Sequence, residues 1–271
     1  MYLRSRIAYA GATALATAGL WLAWLPMRAA DAGPGPSQST ARVNVLDGTL
    51  GDPDPSPELS TAELQAALRD PAVVVLDARP MAEYAVSHIP GARSVPGKPN
   101  MAASAYTADV SAVVKMIPER SRRLVLYCNG LYCGRSKRFA AELRANGYSD
   151  VRRYQLGIPA WRALGGVTQV EKSALLSLLE RDRTAWLVDA REPTARPRLA
   201  NAKSIPIADA PKAKDDGRLP MNDHNTRIFV VGETGAQARA VAEAIVRDAF
   251  HNVAFFDGGV GDVPELVARE P

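Results

Sequence analysis

The chain has 271 residues, room for one or two domains, and its composition, 47 % hydrophobic and 23 % charged, is that of a globular protein with a buried core. The formal net charge of +4 is small, and Arg4, Arg6 and Arg28 against Asp31 account for +2 of it within the first 32 residues. No Lys/Arg block remains to make a nucleic-acid footprint. Two cysteines and three histidines form no quartet at ligand spacing, so neither a metal nor any other cofactor is expected.

In chain order, Arg4 and Arg6 precede an uncharged run from Ile7 to Leu25. The run is about as long as a bilayer is thick, and Trp21 and Trp24 suit an interface. Ala30-Asp31-Ala32 suits a cleavage site instead. Residues 1–32 therefore read as a signal peptide or a membrane anchor, attached through residues 7–25 in the second case. Either way the rest of the chain is expected to be exported, periplasmic or extracellular. Residues 33–57, broken by Pro34, Pro36, Pro53, Pro55 and Pro57, read as a flexible linker.

Order is expected from Ser60, which with Glu63 forms a capping box for a helix over Thr61–Leu68. Val-rich Ala72–Leu76 and apolar Leu124–Tyr127 read as buried strands, the second ending at Cys128. A helix follows over Ser136–Ala145, with Gly147 just beyond its end. Strands alternating with helices predict an α/β fold, a mainly parallel sheet with helices on both faces.

The pattern then repeats. Val75-Leu76-Asp77-Ala78-Arg79 is echoed by Leu187-Val188-Asp189-Ala190-Arg191, and Ala92-Arg93-Ser94-Val95-Pro96 by Ala202-Lys203-Ser204-Ile205-Pro206. Two copies are expected, residues 58–168 and 171–271, the second opening on a helix over Lys172–Leu179. From Cys128 to Val151 is two residues longer than from its counterpart Gly232 to Val253. A two-residue insertion inside a helix would turn its apolar face by about 200°, so the excess is assigned to the segment after Cys128. Counting back from the matched helices sets Gln237 against Arg135, and the second copy has no cysteine.

Several motifs of the first copy resemble the rhodanese-like family of sulfurtransferases. They are Asp77-Ala78-Arg79, Glu83 followed by His88-Ile89-Pro90-Gly91-Ala92, the strand–Cys128–loop–helix element, and Gly157-Ile158-Pro159-Ala160-Trp161. The resemblance implies tandem rhodanese-like domains, a catalytic first copy and an inactive second. It also implies that Cys128 carries sulfane sulfur as a persulfide, from a small anionic donor such as thiosulfate to a thiol or cyanide-like acceptor. One departure is the loop Cys128-Asn129-Gly130-Leu131-Tyr132-Cys133-Gly134-Arg135, longer than the family's six residues.

A cysteine between a strand and a helix N-terminus suits thiolate chemistry. Unpaired first-turn amides and the helix dipole stabilise negative charge there. Gly130 and Gly134 are expected to let the loop curl around an anion, and Arg135 to attract it. Asp77 and Arg79 read as a structural pair, and His88 as an orienting residue, not a base. Cys133 is a candidate redox partner of Cys128, by disulfide or by resolving its persulfide. Two other readings stay open: a thiol–disulfide redox protein using both cysteines, and a non-enzymatic module sensing persulfide or anion.

Overall fold

A computed structural model describes residues 56–102 and 105–268. The apolar segment 1–32 and all but the last two residues of the linker lie outside them. Among the described residues, no helix is long and apolar enough to cross a membrane.

The first copy runs α1 (Thr61–Ala67), β1 (Val73–Asp77), α2 (Met81–Val86), β2 (Arg93–Ser94), α3 (Val110–Met116), β3 (Arg123–Tyr127), α4 (Gly134–Ala145), β4 (Val151–Tyr154) and α5 (Gly157–Ala163). The expected capping box is present at Ser60, whose hydroxyl accepts from Glu63 N while the Glu63 carboxylate accepts from Ser60 N. Its four strands pair in the order β2-β1-β3-β4, all parallel. Side chains alternate across this sheet, as the two-residue period of a strand requires. Val74, Leu76, Leu124 and Leu126 pack with Val113 of α3 and with Phe139 and Leu143 of α4. Val75, Val125, Tyr127 and Tyr154 pack on the other face with Leu64 of α1 and with Ile158 and Trp161 of α5.

The second copy runs β5 (Thr168–Val170), α6 (Lys172–Arg181), β6 (Trp186–Asp189), β7 (Lys203–Ser204), β8 (Ile228–Gly232), α7 (Gly235–Ile245) and β9 (Val253–Gly259). Its strands order as β5-β9-β8-β6-β7, again all parallel. Apolar residues of α6 and α7 cover opposite faces. The α/β tandem expected from the sequence repeat is the fold observed.

The registers superimpose the copies. Asp77 pairs with Tyr127 and Asp189 with Val231, so Cys128 and Gly232 occupy the same place after the central strand. The surplus does fall after Cys128, but there it is three residues and not two: five residues, 129–133, lead to α4, against two, 233–234, to α7. α4 begins at Gly134, two residues before the expected Ser136. Cys133 and Thr234 are the matching N-caps, so Arg135 matches Ala236, and Gln237 matches Ser136. Counting from the far end of the helix misplaced Gln237 by one position, because the turns that close the two helices differ in length.

The copies meet through a short antiparallel bridge. His88 N donates to Gln169 O at 3.0 Å, Gln169 N returns a bond to His88 O at 2.9 Å, and Glu171 N donates to Ala85 O at 2.8 Å.

Candidate active site

Cys128 leaves the carboxyl end of β3, the central position of a parallel sheet, where loops converge on the N-terminal turns of helices. It is buried, 2 % exposed. A disulfide joins it to Cys133, the N-cap of α4, across a Cα–Cα distance of 6.2 Å, within the ordinary span of such bonds.

The loop between them is held from outside. Ile158 N donates to Cys128 O at 3.2 Å, and Gln155 Nε2 to Leu131 O at 2.9 Å. Asn129 Nδ2 donates to Glu83 Oε2. Of the amides from Asn129 to Cys133, only that of Cys133 is committed to an acceptor among the described residues, Gly130 O at 3.0 Å. Asn129, Gly130, Leu131 and Tyr132 therefore offer uncommitted N–H groups beside the first turn of a twelve-residue helix, a place suited to negative charge.

The second copy contrasts at each point. Its N-cap Thr234 accepts from Gln237 N, and the Gln237 carboxamide oxygen accepts from Glu233 N at 2.8 Å. The amide of its first loop residue, Glu233, is thus satisfied by a side chain of its own helix. The equivalent of Arg135 is Ala236, and Gly232 stands in the place of Cys128.

Of the glycines expected to shape the loop, Gly130 does, with a left-handed φ of 102° in a buried position. Gly134 does not: its φ is not left-handed and a Cβ there would meet open space, so any part it has in anion binding is through its amide. The indispensable glycine is Gly157, with φ 62°, where a Cβ would press into Cys128 O and lie 2.5 Å from Gly130 N. Gly157 closes the cradle from beneath. The sequence marked it only as part of a late turn, since its demand comes from a segment 29 positions earlier, at Cys128.

Arg135 is 28 % exposed and its Nη1 lies 3.2 Å from Glu83 Oε1. An anion entering the loop must share this guanidinium with Glu83. Glu83 thus gathers Asn129 and Arg135, a positioning role outside the expected site residues. Beside the loop lies a pocket of about 440 Å³ lined by Arg79, Glu83, Ser87, Asn129, Pro159 and Arg162 among others. Arg162 donates to Ser87 Oγ at 2.5 Å; among the described residues it forms no ion pair, and its Nε is buried without a hydrogen bond. Burial, then repulsion from Arg79 and Arg227, pushes its pKa down to about 10. Sequence inspection passes over it because nothing local distinguishes an arginine after Trp161.

Asp77 and Arg79 lie together as a buried ion pair. Arg79 Nε lies 2.9 Å and Nη2 2.5 Å from the Asp77 carboxylate, and Nη2 also donates to Ser87 O at 2.7 Å. Burial opposes the charge on Arg79, but the hydrogen bond and charge of Asp77 outweigh it and raise the pKa. Tyr127 donates to Asp77 at 2.6 Å, and its hydroxyl accepts from Ile89 N. Burial first, then the Asp77 charge, raise the Tyr127 pKa well above its ordinary value. His88 is placed away from the loop: Nδ1 bonds Tyr84 O at 2.9 Å, and the ring stacks on Tyr84. Burial lowers its pKa. Among the described residues, no cluster of His, Cys, Asp or Glu has the geometry of a metal site.

The chain is 30 % identical over 102 residues to the thiosulfate:glutathione sulfurtransferase of Saccharomyces cerevisiae, covering 36 % of this chain and 70 % of that one. It is 29 % identical over 132 residues to the tRNA uridine(34) hydroxylase of Cronobacter sakazakii, covering 48 % of this chain and 33 % of that one. The chain thus spans about a third of the length of the hydroxylases it matches. Among solved structures, a 3-mercaptopyruvate sulfotransferase of Escherichia coli is similar with a TM-score of 0.34 and 17 % identity, over 75 % of this chain and 98 % of that one. The Rhodanese-like domain family matches residues 60–164 and again residues 171–263. The chain belongs to the rhodanese-like family and carries its domain twice.

Proposed function

We propose that this protein is a sulfurtransferase whose sulfur carrier is Cys128, freed when its bond to Cys133 is reduced. The observation that carries the reading is the contrast between the copies: one has a thiol beside four loop amides uncommitted among the described residues, the other has no cysteine and closes its Glu233 amide with Gln237. The Cys128 thiolate attacks the outer sulfur of an anionic donor such as thiosulfate. The donor S–S bond breaks, sulfite leaves with the electron pair, and Cys128 holds a persulfide. A nucleophilic acceptor, a thiol or cyanide, then takes the outer sulfur and returns the thiolate. The amides of residues 129–132, the Gly134 amide and Arg135 offset the charge of the donor and of the persulfide. The name of the yeast relative supports the donor class.

The basic start and apolar run of residues 1–32 support an exported setting, with the protein either free or anchored through residues 7–25. Disulfides persist in such compartments. The second domain supports the first and takes no part in the chemistry.

The disulfide favours one other reading, thiol–disulfide exchange without sulfur transfer. Mass spectrometry after reduction and incubation with thiosulfate separates them. In Cys133→Ser, sulfur transfer releases sulfite and adds about 32 Da at Cys128, whereas thiol–disulfide exchange does neither. In a thiosulfate:cyanide assay under reducing conditions, Cys128→Ser is expected to fall to the uncatalysed rate. Equal turnover by wild type and variant would end the proposal.

A further inference from the structure

Cys133 sits where a helix calls for a capping side chain, yet makes no capping hydrogen bond. At the same position in the second copy, Thr234 caps its helix in the ordinary way. The first copy has given up that bond and holds a thiol instead, at a Cα–Cα distance of 6.2 Å from Cys128. The loop that spans them is fastened at Cys128 O and Leu131 O by residues 155–158, which keeps its two ends in register. The bond present between the two sulfurs is the one formed if Cys133 attacks a sulfur carried on Cys128.

We propose that the acceptor for the Cys128 persulfide is the chain's own Cys133, and that the product is sulfide. This rests on the sulfurtransferase reading and names its acceptor. The Cys133 thiolate attacks the inner sulfur of the persulfide, Cys128 Sγ. The bond from that sulfur to the outer sulfur breaks, and the outer sulfur leaves with the electron pair as hydrosulfide, taking a proton. Two thiols are oxidised to the disulfide and one sulfane sulfur is reduced to sulfide. Over both steps, thiosulfate and two thiols give sulfite, hydrogen sulfide and the disulfide. A thiol in the same loop meets its target without a diffusional encounter, so it outruns acceptors free in solution. A dithiol reductant resets the pair by attack at Cys133, the less buried of the two cysteines, which leaves Cys128 as the thiolate. Its approach is open on the side of Tyr132, 89 % exposed, and Leu131.

The test uses the full chain, reduced with dithiothreitol, desalted without oxygen and mixed with excess thiosulfate and no reductant. Wild type is expected to release one sulfite and one sulfide per chain and to end about 2 Da lighter than the reduced protein. Cys133→Ser, in which the hydroxyl supplies a helix cap, is expected to release sulfite, to hold a gain of about 32 Da, and to give at least about tenfold less sulfide. If wild type releases sulfite but keeps the persulfide, or if Cys133→Ser releases as much sulfide as wild type, the resolving role is wrong while sulfur transfer stands. If neither protein releases sulfite or gains mass, the sulfurtransferase reading falls and this inference falls with it.

Discussion

Asp77 accepts from four donors at once, the backbone N–H, Nε and Nη2 of Arg79 and the hydroxyl of Tyr127, in a site with no solvent exposure. Removing one member of such a pair strands the other charge in the core. Asp77→Asn is expected to cost about 3–5 kcal/mol in urea unfolding. Asp189→Asn in the second copy should cost less. Asp189 is partly exposed, and Arg191 has Glu233 3.8 Å away as a second acidic neighbour. Asp77, Arg79 and Cys128 were legible in the sequence because each is fixed by its own strand end. Glu83 and Arg162 were not read as site residues. Their positions beside Asn129 come from α2 and α5 approaching the loop, which no local pattern records.

At the scale of elements, the cradle depends on the first turn of α5 passing beneath the loop after β3. Gly157→Ala is expected to cost about 1–3 kcal/mol from its left-handed backbone alone. The new Cβ also displaces Cys128 O, so sulfur transfer is expected to fall with stability. Gly134→Ala meets no neighbour and adds a better helix former. Thermal unfolding should show its Tm unchanged or slightly raised. If Gly134→Ala destabilised as much as Gly157→Ala, this account of the loop would be wrong. The enlarged loop itself was legible, because the internal repeat supplied a ruler. The start of α4 was not, since Gly134 and Arg135 carry no strong helix signal and Cys133 is no ordinary cap. The sequence does not show that the Glu233 and Gln237 amides of the second copy are closed by the side chains of Gln237 and Thr234.

For the molecule as a whole, the joint between the copies contains a buried histidine. His88 is 1 % exposed and bridges to Gln169, with Glu171 Oε1 3.8 Å from its Nε2. Burial lowers its folded-state pKa below the ordinary 6.5. The unfolded chain therefore binds a proton that the folded chain refuses as pH falls through about 6.5, and stability drops with falling pH until the depressed folded pKa is reached. Above about 6.5 this contribution is constant. His88→Gln is expected to flatten the stability profile just below pH 6.5, measured by urea midpoint against pH. An unchanged slope would show that His88 does not set it. The disulfide acts on the whole molecule quite differently. The ring it closes is only six residues long, 128–133. By chain entropy such a ring restrains the unfolded chain by about 2 kcal/mol, less than half of what a hundred-residue loop would give. The loop also keeps its ties through Ile158, Gln155 and Glu83, none of which involves sulfur. Opening and closing the bond is therefore a local event that draws little on the stability of the fold, so on the proposed cycle the protein can lose and regain this crosslink at every turnover and still remain folded.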